Sequence, residues 1–384
     1  MLSPLANRAL ERAGLAEVRD RVLAHERLSE ADALRLLETK DLAALGALAD
    51  HVRVERHGDK TFYNRNVHLN FTNVCVASCK FCSFAREDDE KASDGYTMSL
   101  DEAVDHVLER RSLGITEVHI VNGLHPDLPF EFYLEVPRRI RAAWPELKIK
   151  AYTAVEIHFF AEKFKKTYEE VLRELKAAGV DTLPGGGAEI FASRVRRKIC
   201  DDKATADEWL EVHRVAHRLG MKTNATMLYG TIETLAERVD HMARLRTLQD
   251  ETGGFQVFIP LAFHPEHNMI GKAFPKPTGY DGLRTYATAR LFLDNFDHIK
   301  AYWVMLGERL AQTALSFGVD DLDGTVIEER IYHMAGAKTP QALSESELHR
   351  LIRAAGRVPV ERDSLYRILR AHPGERALPL PATA

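Results

Sequence analysis

Cys75-Val76-Ala77-Ser78-Cys79-Lys80-Phe81-Cys82 holds three of the chain's four cysteines at C-x3-C-x2-C spacing, with an aromatic directly before the last. Thiolates this close on one turn can converge on a single metal centre, yet three fall one short of the four that a closed zinc site or electron-transfer cluster takes. A cluster left with an open iron can bind something else. Zinc is the competing reading, with His68 or Cys200 as the fourth ligand, but neither stands at the short spacing of structural zinc sites.

Such a loop needs a scaffold that brings other residues to it. Val67 to Val74 alternates apolar and polar residues and runs straight into the cysteines, so the loop is expected to follow a strand. Further strands are expected at about 117–122, 148–155, 181–184, 222–229, 255–262 and 299–305, with a weaker eighth near 322–327. Ser29 with Asp32, Ser99 with Glu102, Thr205 with Glu208 and Ser344 with Glu347 have the spacing of capping boxes at helix starts. Gly114, Gly179, Gly220 and Gly318 stand where a glycine would end a helix before the next strand. Repeated strand–helix units imply a parallel sheet, and seven or eight of them imply closure into a (β/α)8 barrel, with an incomplete six-unit barrel as the alternative. Catalytic groups then belong at the C-terminal ends of the strands, where the cysteine loop falls. The expected organisation is an N-terminal helical cap over 1–58, the barrel over 59–328, and a C-terminal helical extension and tail over 329–384, with Leu365 and Ile368 on a helical stripe. The last ten residues are expected to lack fixed structure.

Composition removes other classes. With 384 residues, 45% hydrophobic and 28% charged, the chain can bury a large core. Its net charge of −5 comes from 52 basic and 57 acidic residues dispersed along the sequence, so the basic stripe of a nucleic-acid binder is missing. No run approaches the ~20 apolar residues that span a bilayer. Met1-Leu2-Ser3-Pro4-Leu5 lacks the apolar run of a signal peptide, and four cysteines clustered this way are not a disulfide framework. A reducing cytoplasm is the expected compartment.

The cysteine spacing, placed after the first strand of a βα barrel, resembles the radical S-adenosylmethionine (SAM) superfamily. Asn70-Phe71-Thr72-Asn73-Val74-Cys75, Val121-Asn122-Gly123-Leu124-His125-Pro126, Pro184-Gly185-Gly186-Gly187-Ala188-Glu189-Ile190 and Thr226-Met227-Leu228-Tyr229-Gly230 are similar to the branch of the menaquinone futalosine-pathway enzymes and the deazaflavin-forming synthases. Ile331-Tyr332-His333-Met334-Ala335-Gly336-Ala337-Lys338-Thr339-Pro340 looks most like the aminofutalosine synthase family. Thr231 departs from the histidine that the resemblance leads one to expect after Leu-Tyr-Gly.

The resemblance implies a 4Fe-4S cluster on Cys75, Cys79 and Cys82, with SAM on the open iron and an adenine contact from the backbone at Phe81. It implies addition of the adenosyl group, with SAM as co-substrate, to a small molecule bearing two carboxylates, and an electron donor such as flavodoxin or ferredoxin. Gly185, Gly186 and Gly187 would admit SAM to the backbone, Glu189 would bind its ribose hydroxyls, and Arg194 and Arg196 would pair with its carboxylate. The bland reading of the two arginines is a solvated helix face. His125, His158, His264 and Glu156 are the candidates for substrate contact or proton transfer, the histidines being equally readable as packed structural residues. Cys200 reads as a plain thiol. Two sister reactions, those of the futalosine-pathway cyclase and of a deazaflavin synthase subunit, remain open. So does a structural metal-binding protein, which would be colourless where the enzyme is brown.

Overall fold

The computed structural model describes residues 2–88 and 93–374; the ten C-terminal residues expected to lack structure lie outside this range. Four helices open the chain, α1 (Pro4–Arg12), α2 (Ala16–Leu23), α3 (Glu30–Glu38) and α4 (Leu42–His57). Strands follow as β1 (Lys60–Asn64), β2 (Asn66–Leu69), β3 (Glu117–Ile120), β4 (Lys148–Ala151), β5 (Thr182–Leu183), β6 (Lys222–Tyr229), β7 (Phe255–Ala262), β8 (His298–Ile299), β9 (Asp321–Gly324), β10 (Val358–Arg362) and β11 (Ile368–Ala371). Strands β2 to β8 form a 7-stranded parallel sheet in chain order. Helices between successive strands supply the crossovers that parallel pairing requires.

The eighth unit closes the ring. Asp321 bridges Lys300 beyond β8, β9 runs parallel to β1, and Ile327 bridges Val67 on β2. His68 N–H donates to the Ile327 carbonyl at 2.9 Å, and Ile327 N–H to the Asn66 carbonyl at 3.1 Å. Residues 321–327 therefore occupy the position expected of the last strand.

Local signals account for most helix ends. The capping boxes at Ser29, Ser99, Thr205 and Ser344 are all formed, as are three unanticipated ones, from Thr153 to Glu156, Thr167 to Glu170 and Thr234 to Glu237. Each such cap is worth about 1 kcal/mol. The box at Thr153 explains a shortened strand: β4 stops at Ala151 because the helix Ala154–Phe164 starts where sheet was expected to continue. Likewise β8 ends at Ile299 and the turn Trp303–Leu306 is helical. Gly179 follows its helix at φ 108, a conformation an L side chain rarely adopts.

The C-terminal segment departs from an all-helical extension. The helices Ile331–Met334 and Glu345–Ala354 are followed by β10, which pairs in parallel with β1 from Lys60↔Val358 to Tyr63↔Glu361, and by antiparallel β11. Leu365 lies in the turn before β11 and Ile368 starts that strand. A free edge of β1 supplies the hydrogen bonds that a further helix could not use. Among the described residues no helix is long and apolar enough to cross a membrane.

Candidate active site

The cysteine loop leaves the end of β2 through a backbone staple made by the surrounding asparagines. Asn122 Oδ1 accepts from Phe71 N–H at 2.7 Å, Asn73 Oδ1 accepts from Tyr96 N–H at 2.8 Å, and Asn70 Nδ2 donates to the Val121 carbonyl at 2.6 Å. Gly123 packs so tightly beneath the loop that a Cβ there would stand 2.2 Å from the Val74 carbonyl oxygen. The loop is then pinned by Val76 N–H to the Leu124 carbonyl at 3.0 Å, Ser78 N–H to Asp202 at 2.6 Å and Lys80 N–H to the Ile199 carbonyl at 2.9 Å.

Cys75, Cys79 and Cys82, all half-buried, line a cavity of about 290 Å³ at the C-terminal ends of the strands. Burial pushes the Cys79 thiol up to about 12, with Lys203 pulling the other way, and burial raises the Cys75 thiol too. A bound cation would draw these thiols into the thiolate form. Among the described residues, the groups whose donor atoms fall within 4.8 Å of one another do not include the three cysteines. A single zinc would hold its sulfurs within about 3.8 Å of one another, given Zn–S bonds of about 2.3 Å. The donor set fits a larger cluster with one open position better than it fits a lone ion. Cys200 is buried outside the cavity lining, as a plain thiol would be.

Gly185, Gly186 and Gly187 form the facing wall after β5. A Cβ on Gly185 would meet the Asn224 carbonyl oxygen at 2.6 Å, and one on Gly187, whose φ is 86, would meet Val155 at 2.3 Å. Close packing against β6 and Val155 thus requires glycine here, and the run contributes backbone to the cavity lining. Glu189 completes this wall at φ 46, a strained conformation for a residue with a side chain. It is ion-paired with Lys203, whose ammonium lies 5.2 Å over the Phe81 ring. The sequence reading missed Lys203, which no local spacing singles out.

Arg194 and Arg196 stand elsewhere. Arg194 is a surface residue paired with Glu237 at 2.7 Å, on the solvated face that the bland reading described. Arg196 is buried and clamps the carbonyls of Ala188, at 2.7 Å, and Ala204. Neither lines the cavity, whose cation near the cysteines is Lys203.

The three histidines expected at the site also lie outside its lining. His125 Nδ1 accepts from Asp127 N–H at 3.0 Å and Leu128 N–H at 3.2 Å. His158 is carried onto the outer helix Ala154–Phe164 and bonds Tyr168 at 2.7 Å, while His264 Nε2 bonds the Met305 carbonyl at 2.8 Å. Thr231 bonds Glu233 at 2.8 Å. Glu156 does line the cavity, where Thr153 N–H at 2.7 Å and Asn122 N–H at 3.1 Å donate to it. Burial raises its carboxyl to about 7 against the pull of those hydrogen bonds.

The inner end of the cavity holds residues that were not anticipated there. His68 on β2 and His119 on β3 pair in register and stack with ring centroids 4.6 Å apart and planes at 8°. His68 Nε2 is buried with no hydrogen-bond partner. Burial lowers both histidines below their ordinary range, so both are neutral at pH 7. Asn122, Asn224, Thr226, Tyr302 and Asp323, the last ion-paired with Lys300 at 2.9 Å, complete this end, and no arginine is among the described lining residues. Glu329 brings the stretch 331–340 over the cavity: its carboxylate accepts from Tyr332 N–H at 2.9 Å and pairs with His333 Nδ1 at 3.1 Å, which sets Ile331 and Tyr332 into the lining.

Comparison with known proteins agrees with this geometry. Residues 69–245 match the radical SAM superfamily, and residues 252–374 match the CofH/MqnC C-terminal region. The aminodeoxyfutalosine synthase of Thermus thermophilus is 52% identical over 359 residues, 93% of this chain and 96% of that protein. The aminodeoxyfutalosine synthase of Streptomyces coelicolor is 46% identical over 368 residues, 93% of this chain and 95% of its own length. In fold alone, the FeFe-hydrogenase maturase HydG of Carboxydothermus hydrogenoformans superposes with a TM-score of 0.72 over 94% of this chain and 85% of that one, at 19% identity. Cysteine loop, glycine wall, barrel and near full-length similarity converge: the chain belongs to the radical SAM superfamily, whose enzymes use a 4Fe-4S cluster and SAM, and within it to the group that includes the aminodeoxyfutalosine synthases.

Proposed function

We propose that the protein transfers the 5′-deoxyadenosyl group of SAM to the enolpyruvyl double bond of 3-[(1-carboxyvinyl)oxy]benzoate, giving 6-amino-6-deoxyfutalosine, bicarbonate and methionine in menaquinone biosynthesis. The observation that carries this reading is one cavity with two unlike ends: three cysteines with Lys203 and Glu189 at the mouth, and a set of imidazole, amide and hydroxyl groups inside, with Asp323 and Glu329 beside them. When bound by Cys75, Cys79 and Cys82, the cluster supplies the single electron that cleaves SAM. Around it, Lys203 is suited to the methionine carboxylate, Glu189 to the ribose hydroxyls, and the glycine wall to close contact with the cofactor's backbone-facing edge.

A substrate with two carboxylates needs cationic or N–H donors. With no arginine in the described lining, the inner donors are Asn122, Asn224 and the His68–His119 pair, whose unpartnered Nε2 can take a proton as a carboxylate arrives. Enclosure matters as much as donors. A primary alkyl radical reacts with any nearby C–H bond, so the alkene must be held at about 3–3.5 Å with water excluded. Apolar Val155, Leu124, Ile259 and Leu261 between the two ends serve that purpose.

Anaerobic reconstitution, reduction and incubation with SAM and the enolpyruvyl benzoate test the proposal. The expected product carries adenine by mass spectrometry. Free 5′-deoxyadenosine beside unchanged benzoate would sink it, and an adenine-free main product would point to the sister cyclase or deazaflavin chemistry.

A further inference from the structure

We propose that Glu345, His349, His372 and Tyr63 form a binding site for one zinc ion, separate in every residue from the cysteine cavity. Glu345 and His349 are four residues apart on the helix Glu345–Ala354 and so share a face. His372 follows β11, and Tyr63 reaches the cluster from β1. The donor atoms of the glutamate and the two histidines all lie within 4.8 Å of one another.

The spacing is that of a coordination shell. Tyr63 Oη stands 2.9 Å from Glu345 Oε1, 2.8 Å from His349 Nε2 and 3.2 Å from His372 Nε2. Glu345 Oε1 is 3.7 Å from His349 Nε2 and 3.6 Å from His372 Nε2. A tetrahedral ion with bonds of about 2.0–2.1 Å separates its ligand atoms by about 3.3–3.4 Å, and these distances bracket that value from both sides. Without an ion the phenol donates its one proton to Glu345 and accepts from both imidazoles. With an ion, the phenol releases its proton to solvent and each imidazole carries its own on Nδ1, so that small outward shifts around Tyr63 and inward shifts at Glu345 give the ion a phenolate, a carboxylate and two imidazole Nε2 ligands. The side chains of Glu345, His349 and His372 are 33%, 11% and 18% exposed, which leaves an entry path.

A second cluster shows what a look-alike lacks. His57, His298 and Asp320 also bring donor atoms within 4.8 Å, but the two imidazoles stack at 4.9 Å with planes at 16°. An ion in the plane of one ring then lies out of the plane of the other. Asp320 is moreover engaged by Arg290 and by Ile299 N–H at 2.8 Å. In the Tyr63 cluster the two imidazole planes cross at 50° with centroids 4.3 Å apart, an arrangement in which both lone pairs can meet one point.

The test uses full-length holoenzyme without a polyhistidine tag, grown with zinc. Metal analysis is expected to give about one zinc per chain beside the cluster iron. His372→Gln and Glu345→Gln should each lose the zinc and keep the iron, and Cys79→Ala should do the reverse. Cobalt added to zinc-free wild-type protein should give the visible bands of four-coordinate Co2+, and zinc should bleach them. Wild-type protein that holds no zinc and gives no such bands overturns the proposal, as does zinc that persists in a His349→Gln/His372→Gln double variant or that follows the cysteines. The cobalt titration of wild-type protein decides the matter if the variants fail to fold.

Discussion

Glu117 at the start of β3 and Glu156 in the helical turn after β4 are both buried within the barrel, and their surroundings treat the charge in opposite ways. Burial opposes the charge of Glu117, but Lys150 at 2.7 Å, then Arg362 and Lys300, hold its carboxyl well below the usual range. Ser364 adds a hydrogen bond at 2.6 Å. Arg362 is itself paired with Asp321 at 2.6 Å and Lys300 with Asp323 at 2.9 Å, so each charge in this layer has an opposite charge beside it, although Glu117 Oε1 and Arg362 Nη2 have no hydrogen-bond partner. Glu156 has only neutral donors, and burial lifts it to about 7. One layer of the interior balances its charges within itself, with Asp323 shared between it and the cavity, whereas the cavity above keeps an orphaned imidazole, a carboxyl near neutrality and three thiols. Buried charge that is countered within the fold supports the scaffold; titratable groups without a counter-charge, gathered around one cavity, mark the place where a ligand can complete the set.

Each half of this contrast can be broken separately. Cys79→Ala should remove the iron and all adenosylated product while the urea midpoint stays near that of wild-type apoprotein; iron retained at the wild-type level would refute the ligand assignment. Lys150→Ala strips Glu117 of its nearest partner and should cost about 3–5 kcal/mol, with Glu117→Leu/Lys150→Met recovering most of it. A single variant as stable as wild type would mean that the lower layer is not a coupled network.

Glu156 gives a pH signature. Its folded value of about 7 lies above the ordinary 4.5, so the folded state binds the proton more tightly than the unfolded chain does. Stability should therefore fall as pH rises from about 4.5 to about 7, by up to about 3 kcal/mol from this group. The profile of Glu156→Gln should lack that descent, and an unchanged descent would assign it to another residue. His119→Phe removes one of the donors proposed for a substrate carboxylate and should raise KM by roughly 10- to 100-fold with a smaller change in kcat. Equal loss in a binding assay and in thermal stability would make the residue structural instead. Arg194→Ala should stay within about 0.5 kcal/mol of wild type in stability and leave SAM binding unchanged, as expected for a surface pair.

The parts legible in the sequence are those set by local chemistry. Cysteine spacing, the glycine run with Glu189, and serine or threonine three residues before an acid all act within a few positions, and the strand and helix starts follow them closely, whereas the strands expected over 67–74, 148–155 and 299–305 end early. What escaped reading depends on register and distant edges. His68 and His119 meet because β2 and β3 pair in one register, which neither segment encodes alone. The edge of β1 recruits β10 across nearly the whole chain, and this overrides the helical spacing of Leu365 and Ile368. Arg194 finds Glu237 on a different helix, so its basic neighbourhood in sequence says little about its partner. His125 and His158 follow strand ends in the sequence, but a turn and a capping box place both outside the cavity lining.

The closing seam also bears on the order of events during synthesis. Residues 325–327 complete the edge of β2, Val326 bonding Asn66 across a separation of 260 positions. The cysteines lie only a few residues beyond β2, so a growing chain presents its thiols to the cell long before the strand that shuts the barrel has been made. An early cluster would sit on an open, solvent-washed sheet edge. Protection of the cluster is thus a property of the finished polypeptide, and the C-terminal segment acts as the latch that ends the vulnerable interval.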